Sequence, residues 1–437
     1  MPYDQEPKDK PEHGSKDKKK AEGKSGGKEE KFSFLQETIK PKPISREKIL
    51  MQFARISIYG LIFGFFACCS FFALKPWAEN TFFRDETKVT IPADEDEEQE
   101  EAPEEQVEAP AAAVELNSGN YEEMMDSLYD IAKEADKSIV SVQAVKKDDW
   151  AANAENMQSA AGVIVADNGR ELLVLADSAI CEDASQWSVT FADNKEYGAA
   201  LKKQDKNRGL AVFGIEHTAV ADSTENAIKT ATLGNSNNCK QGEVVIALGN
   251  MFGYGDGLSY GIISSKSYES LFSDSMCGVI ATDIPLTEGG TGILINLDGE
   301  VLGLIRAQIW EDTESTTANA LSISDLKPVL ELLLNGESVP YIGANGTTVT
   351  EDISGEQGIP VGIYVTNVEA DSPAMAAGIQ NGDVIQEIDG IKVTGNSSYA
   401  KAVEQCRAGD AIKICGQRRG TGGYVEVTFN VTVGSRE

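Results

Sequence analysis

Between about residues 138 and 320 the chain repeats one feature, namely short apolar runs separated by Gly, Asn and Asp. Clear examples lie at 162–165, 172–175, 210–213, 244–248 and 301–305. Many short strands bounded by turn residues are typical of an all-β sandwich or barrel. The pattern therefore predicts a mainly β domain.

Helices are predicted on both sides of this β-rich region. Residues 121–137 place Met124, Leu128 and Ile131 at helical spacing. The following segment, 138–142, alternates between polar and apolar residues like a strand, and residues 321–334 predict the closing helix.

The C-terminal region carries turn and capping residues in a regular order. Ser372 is a suitable helix N-cap, and Pro373 fits the first turn of the helix that would follow. Gly378 suits the end of that helix. Asp389-Gly390 predicts a hairpin turn. These signals indicate a second, smaller domain of mixed α and β structure.

No charged residue occurs between Ile56 and Leu74. As a helix this run would span roughly 28 Å, close to the ~30 Å hydrocarbon core of a bilayer. Lys75 and Trp77 follow it, where interfacial anchors belong. The rival interpretation, a cleaved signal peptide, would require an unusually long basic region, and no A-x-A site follows the apolar run. We predict an uncleaved transmembrane helix over 54–76.

The flanks of this helix predict its orientation. Residues 1–53 are rich in Lys, Pro and Gly and are expected to be disordered and cytoplasmic, because basic residues stay inside. The rest of the chain would then be extracytoplasmic, on a single-pass protein of the cell membrane.

Residues 77–120 are expected to form a disordered acidic linker. Within it, 94–108 holds ten acidic residues, which favours a self-repelling spacer over a cation-binding or cell-wall-binding segment.

Composition argues against several functions. The net charge of −31 argues against nucleic acid as a partner, because affinity there comes largely from Lys and Arg on phosphates. His13 and His217 are the only histidines and no CxxC occurs, so we expect no metal site and no cofactor. Cys406 and Cys415 lie close in sequence, and either a disulfide or two free thiols is compatible with their spacing.

Three motifs lie in order along the β-rich region. Residues 231–236 read ATLGNS, residues 244–253 read VVIALGNMFG with GIIS at 261–264, and residues 296–303 read NLDGEVLG. These segments resemble the HtrA/DegP-like family of trypsin-type serine proteases, where VVAIGNPFG, GIIS and NLDGEVIG occur in the same order. The resemblance implies a chymotrypsin-like double β-barrel over 121–335.

A fourth motif, SPAMAAGIQNGDVI at 372–385, is similar to the PDZ domain of the same family and implies such a domain over 340–437. PDZ domains bind an extended C-terminal peptide as an added strand, and backbone N–H groups hold its terminal carboxylate. The segment YIGA matches the family's carboxylate-binding loop, and a following helix should form the other wall of the groove. The predicted peptide-binding residues are Tyr341, Ile342, Gly343, Ala344 and Tyr399.

The positions that the resemblance assigns to the catalytic triad are all changed. Such a site needs a serine nucleophile, a histidine base and an orienting aspartate. In LVLADSAI, Ser178 stands at the histidine position, and in GLAV, Gly209 stands at the aspartate position. The serine loop EGGTG is one residue short, so Gly290 or Thr291 stands at the nucleophile. We therefore expect a degenerate triad and no catalytic residues.

Substitute chemistry has little support in the sequence. His217 follows the strand that begins after Gly209, which is the wrong segment for a base. Thr291 lacks an activator, and an unactivated hydroxyl is a poor nucleophile. A serine–lysine pair using Lys202 or Lys203 has no motif behind it. Because loss of a full triad lowers turnover by about 10⁶, proteolysis is not the expected working function.

The sequence thus predicts a membrane-anchored, proteolytically inactive HtrA-like protein. Its PDZ domain would bind peptide tails of envelope or misfolded proteins, in an adaptor or quality-control role in a bacterial cell envelope. One alternative is an active HtrA-like endopeptidase with a remodelled site. Another is a structural envelope scaffold, and the resemblance allows a homotrimer.

Overall fold

The chain divides into two compact units, residues 1–78 and 79–437. The computed structural model describes most positions between 51 and 70, together with residues 87–94, 118–146, 157–309 and 316–435.

In the first unit, the described positions between 51 and 70 are helical. Nowhere in the described part of the chain is a helix both long enough and apolar enough to cross a membrane. The predicted transmembrane segment, 54–76, runs on into positions outside the described residues. It stays a prediction, as does the cytoplasmic segment 1–53.

Helix α1 leads into the first of two β-barrels. The elements are α1 (Ser118–Asp136), β1 (Ile139–Lys146), β2 (Met157–Asp167), β3 (Glu171–Asp177), β4 (Ala184–Thr190), β5 (Glu196–Asp205), β6 (Leu210–Glu216) and the short α2 (Asp222–Glu225). The strands close in the order β1-β2-β3-β6-β5-β4. Almost every side chain of β3 and β6 is buried, because both faces of these strands lie against apolar neighbours. Their continuous apolar runs reflect that burial.

The second barrel contains β7 (Val244–Gly249), β8 (Gly257–Phe272), β9 (Ser275–Pro285), β10 (Thr291–Ile295), β11 (Val301–Arg306) and β12 (Thr317–Ser322), and is followed by α3 (Ile323–Leu334). Its strands close in the order β10-β11-β12-β9-β8-β7. Strands β8 and β9 form a long hairpin, and Phe272 pairs with Ser275 at its tip. Only Ser273 and Asp274 make the turn, which extends to the C-terminal domain.

The C-terminal domain has β13 (Pro340–Tyr341), β14 (Ala344–Val349), α4 (Glu351–Gln357), β15 (Gly362–Val368), α5 (Pro373–Ala376), β16 (Val384–Ile388), β17 (Ile391–Lys392), α6 (Asn396–Glu404), β18 (Ala411–Gly420), β19 (Gly423–Thr432) and β20 (Gly434–Ser435). The main sheet runs β14-β15-β16-β18-β19, so β14 lies at its edge. Helix α6 packs beside β14 and leaves a groove between them.

The fold confirms the mainly β prediction, with a double barrel followed by a PDZ domain. Ser372 Oγ accepts a hydrogen bond from Met375 N at 3.1 Å, as expected for an N-cap. Asp389 and Gly390 have φ of 47° and 87°, as a two-residue hairpin turn requires. Cys406 and Cys415 are free thiols.

One stretch differs from the expectation of a disordered linker. Residues 87–94 lie along α3, where Val89 N donates to Asn335 Oδ1 at 3.0 Å and Ile91 N to Glu331 Oε2 at 3.1 Å. Val89 and Ile91 also pack against the core shared by the two barrels. Their apolar side chains explain the difference, since the acidic composition of the linker begins only after them.

Candidate functional site

The three predicted triad positions meet at the cleft between the barrels. Ser178 begins a 3₁₀ turn directly after β3, and its N–H donates to Gly209 O at 3.0 Å. Thr291 begins β10 and pairs with Arg306, the last residue of β11. Arg306 therefore lies among the positions that would hold the base, the carboxylate and the nucleophile. The cleft has a volume of about 690 Å³.

Arg306 binds the carboxylate of Asp177 and occupies the space beside Gly209. Its Nε donates to Asp177 Oδ2 at 2.6 Å, and another guanidinium nitrogen donates to the carbonyl of Arg208 at 2.9 Å. The side chains of Arg306 and Asp177 are only 15% and 7% exposed. A Cβ atom at Gly209 would lie 2.2 Å from the guanidinium. An aspartate at position 209 is therefore incompatible with Arg306 in this position.

In the shortened serine loop, the backbone N–H groups of both predicted nucleophile positions are already hydrogen-bonded within the protein. Gly290 N donates to Thr287 O at 2.9 Å, and Thr291 N donates to Asn250 O at 3.1 Å. Thr291 Oγ1 accepts from Ala161 N at 2.8 Å. Oxyanion stabilisation needs free donors aimed at the developing charge. Neither predicted nucleophile position offers its own N–H for that purpose.

The loop also excludes a serine side chain at one of the two positions. A Cβ atom at Gly290 would lie 2.7 Å from Leu286 Cδ1 and 2.9 Å from the carbonyl of Thr287. Thr291 keeps a hydroxyl, but it is buried and faces Arg306 across the strand pair. A guanidinium carries no lone pair that could accept its proton.

The alternative bases lie elsewhere. His217 follows β6 whereas Gly209 precedes it, so the strand separates them by roughly 25 Å at about 3.3 Å per residue. His217 is held between Asp167 and Glu225, at 2.8 and 3.1 Å. Lys202 pairs with Glu171 at 2.9 Å, and Lys203 donates to Ser338 at 3.1 Å. Across the described ranges, no group of His, Cys, Asp and Glu could hold a metal ion.

Cys181, which ends the 3₁₀ turn that Ser178 begins, is a further nucleophilic side chain in this region. Burial raises the pKa of its thiol to about 12. A thiolate, and not a thiol, is the attacking species, so this cysteine is unreactive near neutral pH.

The loop at the start of the PDZ domain differs from the serine loop in the partner of its N–H groups. These groups converge on a side-chain carboxylate instead of pairing with backbone carbonyls. Ile342 N and Gly343 N donate to Asp274 Oδ2 at 2.8 and 2.6 Å, and Ala344 N donates to Asp274 Oδ1 at 3.0 Å. Asp274 comes from the tip of the β8–β9 hairpin of the second barrel. The predicted binding loop is thus formed, and a side chain of the same chain occupies it.

Tyr399 on α6 completes this site. Its hydroxyl lies 2.8 Å from Asp274 Oδ1 and 2.7 Å from the carbonyl of Ala344. Burial raises the pKa of the Asp274 carboxyl, although the three amides and Tyr399 act in the opposite direction. Burial and the proximity of Asp274 also raise the pKa of Tyr399, which therefore remains a neutral donor.

Gly343 is required by the geometry of this loop. Its φ is 81°, a region that residues with a side chain rarely adopt. A Cβ atom there would lie 2.5 Å from Ser372 Cβ and 2.6 Å from the Tyr341 hydroxyl. Tyr341 itself donates to Glu369 Oε2 at 2.7 Å, which fixes the loop's first residue.

Two residues of these sites were not predicted from the sequence. Asp274 is far from the loop in sequence and stands in a polar Ser-Asp-Ser turn, which signals a hairpin and nothing more. Arg306 ends an apolar strand, where a basic residue is ordinary. The glycine at position 209, where the resemblance expects an aspartate, is the one signal in the sequence that the neighbourhood of this position differs.

Comparisons with known proteins agree with this architecture. The trypsin-like peptidase domain family matches residues 160–304, and the PDZ domain family matches residues 340–433. A probable periplasmic serine endoprotease DegP-like of Pseudomonas fulva is 31% identical over 283 residues, covering 63% of this chain and 55% of that protein. The serine protease Do-like HtrA of Bacillus subtilis is 27% identical over 299 residues, covering 64% of each. The chain thus spans less than two thirds of the length of these relatives.

Solved structures share the fold. The HtrA-type protease AlgW S227A with tripeptide superposes with a TM-score of 0.55 at 24% identity, covering 71% of this chain and 97% of that one. The same protein with decapeptide gives a TM-score of 0.53 at 22% identity, covering 71% and 98%. The two family matches, their order along the chain and the double barrel agree. The chain thus carries a trypsin-like peptidase domain followed by a PDZ domain, and it is similar to serine proteases of the HtrA/DegP type.

Proposed function

We propose that this protein is a peptide-binding, proteolytically inactive member of its family. The observation that carries the proposal is the convergence of three backbone N–H groups, from Ile342, Gly343 and Ala344, on one carboxylate. Such a nest recognises the carboxylate at the end of a chain, whatever side chains precede it. The likeness to HtrA-type proteases solved with a tripeptide and a decapeptide supports peptides as the ligand class.

A groove beside the loop supports an extended ligand. Strand β14 lies at the edge of its sheet, so its outer N–H and C=O groups can pair with an added strand. A cavity of about 720 Å³ runs past Ala344, Gly346 and Asn396, along β14 and the start of α6. The ligand would lie antiparallel to β14 with its last residue at Ala344.

The proposed loss of proteolysis is supported by the residues at the three triad positions. The predicted positions Ser178, Gly209 and Gly290 or Thr291 supply neither an imidazole nor a carboxylate. Arg306 takes the space beside Gly209, and the N–H groups of Gly290 and Thr291 are paired with carbonyls. These positions therefore supply no proton acceptor, no orienting carboxylate and no N–H of their own for an oxyanion, which supports an inactive cleft.

The role in the cell follows from these two features. A protein that holds exposed C-terminal tails without cutting them would serve as an adaptor or in quality control of envelope or misfolded proteins. Attachment to the cell membrane through 54–76 and assembly into a homotrimer are part of this proposal. Protease protection in sealed vesicles tests the first, and light scattering of the purified protein tests the second.

Peptide binding is tested with the full-length protein in mild detergent. The probes are fluorescent decapeptides with randomised last residues and a free terminal carboxylate, and the control is the same library with an amidated C-terminus. We expect binding that amidation abolishes. Equal binding of both libraries, or none of either, would rule out recognition of a terminal carboxylate. Casein, incubated in parallel, should stay intact.

A further inference from the structure

Asp274 occupies the place that a ligand's terminal carboxylate would take. We propose that Asp274 is an internal competitor, which the second barrel inserts into the carboxylate loop of the PDZ domain and which a peptide tail must displace. This inference rests on the proposed function, because it concerns regulation of the same peptide site. It assigns a role to the β8–β9 hairpin that catalysis does not require.

The contact uses both oxygens of the carboxylate, as a ligand would. Oδ2 accepts from Ile342 N and Gly343 N, and Oδ1 accepts from Ala344 N and lies 2.8 Å from the Tyr399 hydroxyl. Turn geometry alone does not require an aspartate. Asp274 has φ of 56°, which Asn or Gly would adopt at least as readily. What an aspartate adds is the carboxylate.

The hairpin tip is held in register with the loop by the turn between β5 and β6. Asn207 donates to Ser273 O at 2.8 Å and accepts from Ser273 N at 3.0 Å. The next residue, Arg208, donates to Asp205 at 3.0 Å and to Glu404 on α6 at 2.6 Å. The Asn207–Ser273 bonds therefore hold the hairpin tip to the first barrel, and the Arg208–Glu404 pair joins that barrel to the PDZ domain. The contact is intramolecular, so its effective concentration is high.

The rest of the groove is open. The cavity of about 720 Å³ begins at Asp274 and continues along β14, and the β8–β9 hairpin forms its opposite wall. An arriving peptide can pair its upstream residues with β14 before its carboxylate replaces that of Asp274. The exchange needs no new donors, because one carboxylate takes over the bonds of another.

The docked tip is also not an optimised contact. Ser273 Oγ and Ser275 Oγ, on either side of Asp274, are buried without a hydrogen-bond partner among the described residues. A buried hydroxyl left unpaired weakens the arrangement that buries it. Undocking would return both hydroxyls to water. The competitor is thus strong enough to fill the loop and open to displacement.

The test compares peptide affinity across variants of the full-length protein, using the fluorescent carboxylate decapeptides. Asp274→Gly keeps the turn and removes the competitor, whereas Asp274→Asn keeps the shape and removes the charge. Asp298→Gly, at an exposed turn of the second barrel, removes the same charge elsewhere. Since apparent affinity scales with the fraction of open sites, we expect Asp274→Gly to bind at least about tenfold more tightly. Asp274→Asn should be intermediate, and Asp298→Gly unchanged.

Amide exchange provides a readout that needs no peptide. In the absence of ligand, the amides of Ile342, Gly343 and Ala344 should exchange at least about tenfold faster in Asp274→Gly than in the native protein. Equal exchange, or equal peptide affinity in the two proteins, would overturn the internal competitor. Peptide binding without any gain in Asp274→Gly would leave the proposed function standing. Faster exchange with no peptide binding in any variant would instead support the internal contact and refute the proposed function.

Discussion

In the cleft between the barrels and in the carboxylate loop of the PDZ domain, a side chain of the same chain takes the place of an expected group, yet the two occupants differ in kind. Arg306 takes space at Gly209 that a catalytic aspartate would need. Asp274 instead makes the bonds that a ligand's carboxylate would make. The first occupant replaces the chemistry of its site, whereas the second preserves the binding geometry of its site.

The two sites differ in whether the side chain that occupies them has the chemistry of the expected ligand. Around Arg306, the guanidinium is paired with Asp177 and the N–H groups of Gly290 and Thr291 are paired with backbone carbonyls. In the loop at 342–344, the donors are paired with a group of the same chemistry as the expected ligand. The hydrogen bonds thus distinguish a site in which the chemistry of the expected group is absent from one in which it is retained.

The largest effect is expected from breaking the pair in the cleft. Arg306→Ala leaves the buried carboxylate of Asp177 without its cation, and breaking such a pair costs about 3–5 kcal/mol of unfolding free energy. Urea unfolding of the full-length protein measures this loss. Arg306→Lys keeps the charge but cannot reproduce the guanidinium fork. Its unfolding free energy should therefore lie between those of the native protein and of Arg306→Ala.

The same variants sharpen the comparison with the PDZ loop. If Arg306 only fills a lost site, its removal lowers stability without producing cleavage of casein. The double variant Asp177→Ala/Arg306→Ala should recover part of the stability, because no charge is left buried alone. A loss below about 1 kcal/mol in Arg306→Ala would contradict the structural role given to the pair.

The second largest effect is expected at Gly343. In Gly343→Ala the new methyl group meets Ser372 and Tyr341 and the residue must keep φ near 81°. The left-handed conformation costs roughly 1–2 kcal/mol and the contacts add to this, so peptide affinity should fall roughly tenfold to a hundredfold. Fluorescence anisotropy with the carboxylate decapeptides, in the Asp274→Gly protein, measures the fall.

A matched control separates the contacts from the conformation. Gly358 has φ of 67° and open space around its Cβ position. Gly358→Ala therefore carries the same conformational cost at the end of α4 without touching the loop. It should lower stability slightly and leave peptide affinity unchanged. Equal affinity of the two alanine variants would mean that the loop is not where peptides bind.

A smaller effect on peptide affinity is expected at the ion pair that joins the first barrel to the PDZ domain. Glu404→Gln weakens the contact from Arg208 to α6, whose partners are 4% and 19% exposed. Looser docking should free the carboxylate loop more often and raise peptide affinity by roughly two- to fivefold. Glu426→Gln, on β19 of the PDZ domain, is the matched control. Unchanged affinity in Glu404→Gln would mean that this ion pair does not help to hold Asp274 in place.

The smallest effect concerns His217. Burial lowers the pKa of this imidazole, but its bonds to Asp167 and Glu225 outweigh burial and raise the pKa above its ordinary value of 6.5. Protonated His217 therefore stabilises the fold fully below pH 6.5, and the contribution is lost as pH rises through the folded-state pKa. Because both carboxylates are about two-fifths exposed, the contribution should be under about 1 kcal/mol.

Thermal unfolding between pH 5 and about 9 tests this on the native protein and on His217→Gln, which should show a flatter profile. Peptide affinity should be the same in His217→Gln as in the native protein, and casein should stay uncleaved. A change in proteolysis in His217→Gln would instead revive this residue as a base and weaken the contrast between the two sites.

Much of the fold was accessible from the sequence because the relevant signals are local. The Ser372-Pro373 cap, the Asp389-Gly390 turn and the short apolar strands each depend on a few neighbouring residues. The loop at 341–344 was also predicted, because its four residues resemble the carboxylate-binding loop of HtrA-type PDZ domains. The occupants were not accessible, because Asp274 and Arg306 contact segments distant in sequence and are ordinary residues where they stand.

The most direct test of the central claim follows one peptide through both sites. Native mass spectrometry of the full-length protein, after prolonged incubation with a decapeptide that binds through its terminal carboxylate, reports binding and cleavage together. The predicted spectrum contains a complex whose bound peptide has the mass of the intact decapeptide, with no shorter products in solution. Products that accumulate with time in the native protein, but not in Thr291→Ala or Ser178→Ala, would contradict an inactive cleft beside a working peptide loop.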